Sequence, residues 1–202
     1  MSVKILVVIL ILVAGCETAP TMHQESLVES IPKPAEAYST VLNHWTDEEK
    51  NYRNFTSNFQ VIATFLAPDL IEQQLYLDAG DFHWTAEKYR DERQRVLYQA
   101  ETSATVFVDV YTEKDENNNL DKTKSDWSVF LDAGGKRVFP QSIKRIYDSK
   151  VSVVNKYPYH TLWSRPYVVT FPISTSVAIS GPLRLVLAGP AGDAHLAFPN
   201  IK

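Results

Sequence analysis

Thr105-Val-Phe-Val-Asp-Val-Tyr-Thr112 and Trp127-Ser-Val-Phe-Leu-Asp132 are the two stretches that decide the fold. In the first, Val106, Val108 and Val110 alternate with Phe107, Asp109 and Tyr111. In the second, Trp127, Val129 and Leu131 alternate with Ser128, Phe130 and Asp132. A period of two puts each set on its own face, which is the pattern of a strand and not of a helix. Asp132-Ala-Gly-Gly-Lys136 follows at once. Paired glycines tolerate the positive φ angles of primed turns, so a tight hairpin is expected there. Working downstream, further strands are expected at Val138-Phe139, Ser142–Ile146, Val151–Asn155, Tyr167–Phe171, Val177–Ile179, Leu183–Ala188 and His195–Phe198. Gly189-Pro-Ala-Gly-Asp193 should turn the last pair. Short strands at regular spacing with turn residues between them predict an antiparallel β-sandwich, immunoglobulin-like or related.

Working upstream, Phe59, Val61, Ala63 and Phe65 share one face of a strand within Phe55–Phe65. Pro68-Asp69 then opens a helix with Leu70, Ile71, Leu75 and Leu77 as its apolar stripe. A second helix is expected from Trp84-Thr85 to about Ala100, with Ala86, Tyr89, Arg93, Val96 and Leu97 at helical spacing. Asp91 and Arg95 lie four apart in the favourable order, and the many charges around them read as a solvated face. The pair forms a helical insertion at about 68–100. Thr46-Asp-Glu-Glu49 matches a capping box, so a short helix to about Arg53 is expected. The segment 37–202 therefore reads as a single β-rich globular domain, and 16–36, which ends in Ile31-Pro-Lys-Pro34, as a tether. A flexible chain of that length spans about 25 Å.

The N-terminus has a different character. Lys4 precedes an apolar run from Ile5 to Val13, and Ala14-Gly15 precede Cys16, the only cysteine. That run is too short for the ~20 residues that span a bilayer, and the layout is that of an export signal over residues 1–15. It resembles the lipobox of bacterial lipoproteins. The resemblance implies cleavage before Cys16, lipid on its sulfur and attachment to the membrane through that lipid. Glu17 in the next position implies the outer membrane, facing the periplasm, in a Gram-negative cell.

The formal charge of −4 becomes −5 once Lys4 is removed. A mildly acidic chain carries no electrostatic footprint for nucleic acid. With Cys16 consumed by acylation, no thiol remains for a disulfide, a zinc site or a nucleophile. No Gly-x-Ser-x-Gly elbow occurs, and His23, His44, His83, His160 and His195 are scattered without a paired-ligand spacing. Asp81-Phe-His-Trp84 reads as turn and cap residues. No catalytic residue, metal ligand or cofactor is assigned. Asp115–Asp126 resembles an EF-hand loop at positions one, three, five and twelve, but Leu120 replaces the sixth-position glycine and Asp126 the bidentate glutamate. It reads as a solvated hairpin loop.

Tyr157-Pro-Tyr-His-Thr-Leu-Trp-Ser-Arg-Pro-Tyr167 is dense in aromatics. Its Tyr157, Tyr159, Trp163 and Arg165 form a possible binding surface, although closure of a sandwich core accounts for such residues too. On the core reading, Trp127 and Trp163 are both expected to be buried. The function expected is a lipid-anchored, non-enzymatic envelope protein with a protein-binding or assembly role. The alternatives are a small-molecule or metal-binding lipoprotein and a hydrolase whose site only the fold assembles.

Overall fold

The computed structural model describes residue 33 and residues 36–53, 56–147 and 150–199. The expected signal segment (1–15), Cys16 and nearly all of the expected tether lie outside these. Among the described residues the chain runs α1 (Tyr38–His44), β1 (Thr46–Arg53), β2 (Thr56–Phe65), α2 (Pro68–Asp81), α3 (Ala86–Thr102), β3 (Ala104–Thr112), β4 (Ser128–Ala133), β5 (Lys136–Val138), β6 (Ser142–Arg145), α4 (Lys150–Lys156), β7 (Arg165–Phe171), α5 (Thr175–Ala178), β8 (Leu183–Gly189) and β9 (Gly192–Phe198).

The strands form two antiparallel sheets, ordered β1-β2-β3-β7-β6 and β5-β4-β8-β9. The alternation explains the layering. Phe59, Val61, Ala63 and Phe65 of β2, Val106, Val108 and Val110 of β3, and Tyr167, Val169 and Phe171 of β7 are wholly inaccessible to solvent. They belong to the same core as Leu131 of β4, Leu185 and Leu187 of β8, and Leu196 and Phe198 of β9. Each buried Val, Leu or Phe among them contributes roughly 1.5–3 kcal/mol. With β1 set aside, β2-β3-β7-β6 and β5-β4-β8-β9 reproduce the A-B-E-D and C′-C-F-G orders of an immunoglobulin-like sandwich. The chain changes sheet after β3, β5 and β7 as that arrangement requires. Both hairpin readings hold. Gly134 and Gly135 have φ of 59° and 84° between β4 and β5, and Pro190-Ala191 link β8 to β9.

Trp127 is buried as expected. Its ring stacks on Phe59 at 5.0 Å between centroids, and its Nε1 donates to the Asn117 carbonyl at 2.6 Å. Trp163 is not buried: it is 79% exposed, because the loop that carries it lies outside the sandwich and turns its ring outward.

Three segments differ from expectation. Residues 46–53 form strand β1, not a helix. The helix comes earlier, as α1, and the Thr46 hydroxyl bonds the Leu42 carbonyl and the Thr64 hydroxyl at 2.7 and 2.6 Å where a capping box would need the backbone N–H of residue 49. A strand also lets Asp47 and Glu49 accept from the Ala197 and His195 backbone N–H groups of β9, at 3.0 and 2.6 Å. An isolated eight-residue helix has no comparable tertiary gain. Residues 151–155 lie in α4, where a helical turn brings Val153 and Tyr157 onto one buried face. A short apolar run does not separate helix from strand. Residues 177–179 belong to α5 and its end. Ser174 caps it by accepting from the Val177 N–H, and Ala178 is buried.

The helical insertion is as expected. Leu70, Ile71, Leu75 and Ala79 of α2 are buried, and Leu77 is half-buried. Thr85 caps α3, none of whose residues is fully buried. Asp91 does not partner Arg95, which bonds Glu92 at 2.8 Å, while Glu72 of α2 holds Arg93 and Tyr89. The insertion and α4 meet at Lys156–Asp78, 2.7 Å apart.

Candidate functional site

Half of the paired outward positions of β2 and β3, Ile62, Phe107 and Tyr111, are aliphatic or aromatic. Inward placement of Phe59, Val61 and Ala63 sends Gln60, Ile62 and Thr64 outward. The register pairs these with Tyr111, Asp109 and Phe107. The segment after α4 covers this face. Tyr157 lies flat on Phe107, with centroids 3.5 Å apart and planes 7° apart, and its hydroxyl accepts from Gln74 Nε2 at 3.1 Å. The Tyr159 hydroxyl bonds that of Thr64. Burial pushes both tyrosine hydroxyls well above their ordinary pKa.

Beyond Tyr159 the loop is fastened by a buried carboxylate. Asp109 accepts from Ser164 Oγ at 2.6 Å on one oxygen and faces His160 Nδ1 at 2.9 Å on the other. The side chains of Asp109 and His160 are 2% and 7% exposed. Burial raises the Asp109 carboxyl above the usual carboxylate range, and the Ser164 and His160 hydrogen bonds oppose that rise. The Thr161 N–H donates to Ser164 Oγ at 3.1 Å, and the Trp163 N–H to Thr161 Oγ1 at 3.3 Å, so the tip is a stitched turn.

The turn overhangs a cleft of about 400 Å³ lined by Gln60, Ile62, Asp109, Tyr111, Tyr159, Thr161, Trp163 and Ser164. Its volume falls within the ~300–1,000 Å³ of ordinary ligand sites. Trp163 lines it and is 79% exposed, and its neighbour Leu162 is 71% exposed, on a loop whose base is locked.

Of the four residues expected to form a binding surface, the structure brings Tyr159 and Trp163 to this cleft. Tyr157 lies beneath it, buried in the packing on Phe107. Arg165 turns away, bonding Asp115 and the Asn118 carbonyl of the loop between β3 and β4. Sequence reasoning missed Gln60, Ile62, Asp109 and Tyr111. The available signal was the aliphatic and aromatic outward set Ile62, Phe107 and Tyr111.

Ser164, His160 and Asp109 invite comparison with a hydrolase triad, but the geometry differs. A triad places serine on one imidazole nitrogen and aspartate on the other. Here Ser164 Oγ lies 3.2 Å from His160 Nδ1, the nitrogen that faces Asp109, and itself donates to the carboxylate. The trio as arranged holds a loop; it does not activate a nucleophile.

The Asp115–Asp126 loop is not simply solvated. Its Asn118 and Leu120 are buried, Asn118 Nδ2 donates to the Val110 carbonyl at 2.7 Å, and the Tyr167 hydroxyl donates to Asn118 Oδ1 at 2.9 Å. Asn119 Oδ1 accepts from Ser125. Among the described residues no three His, Cys, Asp or Glu side chains gather as metal ligands, and no helix is long and apolar enough to cross a membrane. Comparison with known proteins gives no match to a family model, a curated protein or a solved structure.

Proposed function

We propose that this chain is a lipid-anchored protein of the cell envelope with a non-enzymatic, protein-binding or assembly role. Lipid on Cys16 holds it to a membrane, the outer membrane in a Gram-negative cell, and the domain faces the periplasm. The cleft beneath the 157–164 turn is its binding element. The observation that carries the reading is the exposure of Leu162 and Trp163 side by side on a turn pinned by Asp109. Exposed tryptophan beside a cleft is the composition of a binding hot spot. Pinning means that little ordering entropy is lost on binding.

The test is crosslinking in intact cells of the native protein and of a Leu162→Ala, Trp163→Ala variant. The native chain is expected to give a discrete crosslinked product that the variant loses while keeping its melting temperature. An unchanged crosslinking pattern in the variant would remove the cleft from the reading. Cys16→Ser is expected to release the protein from the membrane fraction, and continued membrane retention would remove the anchor.

A further inference from the structure

The chemistry of the cleft narrows its occupant, given the protein-binding reading above. Three aromatic side chains, Tyr111, Tyr159 and Trp163, and one aliphatic, Ile62, make up half of the eight lining residues. The one carboxylate in it, Asp109, has both oxygens committed to Ser164 and His160. The cleft thus offers no free charge, and the complementary ligand is uncharged.

Few polar groups remain unspent. Gln60 Nε2 is taken by Glu48, the Tyr159 hydroxyl by Thr64, and Thr161 Oγ1 by its own turn. Among the described residues the Gln60 side-chain carbonyl, the Trp163 indole N–H and the Tyr111 hydroxyl have no hydrogen-bond partner. A sugar buried there would bring several hydroxyls to a site with few partners, which is costly.

The secondary structure excludes a further mode. Strand addition needs a bare edge, whereas β2 and β3 are each paired on both sides. A polyproline II segment meets every condition. It is slender, has no internal hydrogen bonds, and leaves its carbonyls free to accept. Such segments dock in aromatic-lined grooves.

We propose that the cleft binds an uncharged, proline-bearing extended segment of a partner protein, with proline rings against Trp163 and Tyr111 and backbone carbonyls accepting from the indole N–H and the tyrosine hydroxyl.

The test uses the full chain in detergent with its tryptophans replaced by 5-fluorotryptophan. The fluorine resonance of Trp163 is assigned through Trp163→Phe. Three probes are titrated: a blocked nine-residue (Ala-Pro-Pro)3 peptide, a blocked Gly-Ser peptide of equal length, and maltotriose. The proline peptide is expected to shift the Trp163 resonance saturably, at least tenfold more tightly than the Gly-Ser peptide. Tyr111→Phe is expected to weaken it about fivefold, as loss of one hydrogen bond would, with an unchanged melting temperature.

No shift, an equal response to the Gly-Ser peptide, or a response to maltotriose alone would each overturn the proposal. So would a Trp163 resonance already displaced in the free protein by Pro32→Ser with Pro34→Ser, which would make the chain's own arm the occupant. The failures separate: a negative titration alongside a surviving Trp163-dependent crosslink in cells overturns the ligand class and leaves the protein-binding reading in place.

Discussion

Gly189 lies so close to Trp127 that a methyl group added there would sit 2.4 Å from the indole. The tryptophan needs that space to stack on Phe59 and to reach the Asn117 carbonyl. Gly189→Ala is therefore expected to destabilise by about 1–3 kcal/mol through overpacking, and Trp127→Ala by about 3–5 kcal/mol through the cavity it leaves. Trp163→Ala should change stability by less than about 0.5 kcal/mol, as exposed substitutions do. Chemical denaturation of the three variants checks this, and a Trp163→Ala cost near that of Trp127→Ala would return Trp163 to the core. The two tryptophans also show what a pattern of residues can and cannot convey. Trp127 opens an alternating strand, so its burial followed from its neighbours. Trp163 sits among prolines and aromatics without a period, and only the fold shows which way it faces.

Asp109 gives a prediction with a sign. Its carboxyl is raised by burial, so the folded chain binds that proton more tightly than the unfolded chain does. This group's contribution to stability is therefore most favourable below the ordinary carboxylate range and declines as pH rises through the raised value. Asp109→Asn removes that dependence at the cost of disturbing two hydrogen bonds. Melting curves at a series of pH values from ~4 upward should show the variant gaining on the native protein as pH rises. A gap that widens in favour of the native protein would contradict the burial argument.

Among the elements, β1 differs most from its sequence pattern. Thr46-Asp-Glu-Glu49 has the composition of a helix start, and nothing local reveals that β9 needs acceptors along its edge. Asp47 and Glu49 point inward from β1 and take two backbone N–H groups of β9, so that side of the sandwich is closed by carboxylates. Open strand edges invite pairing with other chains. Asp47→Ala is expected to cost about 1–3 kcal/mol, because it removes the hydrogen bond from the Ala197 N–H to a buried carboxylate. In combination with Glu49→Ala it should also promote self-association, visible by sedimentation. Full stability with a monodisperse double variant would show that the carboxylates do not guard the edge. The helices α4 and α5 were hidden for a related reason, since their short β-branched runs fit either period until burial selects the helix.

The loop between β3 and β4 is an element of its own. Asn118 and Leu120 anchor it to the core, and Arg165 and Ser125 occupy Asp115 and Asn119, two of the residues that an EF-hand reading would use as ligands. An extracytoplasmic calcium module binds at ~0.1–1 mM. At tenfold excess such an ion adds about 1.4 kcal/mol. No calcium-dependent rise in melting temperature is expected at several millimolar, and a rise abolished by Asp115→Ala would restore the calcium reading.

For the whole molecule, the sandwich was legible because its deciding strands alternate strictly and its hairpins carry the glycines their turns require. The candidate cleft was legible only in part, because it joins a loop to the outer face of two strands remote in sequence. That juxtaposition, Trp163 above Gln60, Ile62 and Tyr111, is a property of the fold. On the function proposed, a lipid on Cys16 would supply location and the pinned turn recognition.

The most direct measurement places a photo-crosslinking amino acid at position 163, and separately at the exposed Tyr98 on α3, in living cells. One discrete protein adduct in the membrane fraction is expected from position 163 and none from position 98. Adducts shared by both positions, or none from position 163, would contradict that expectation.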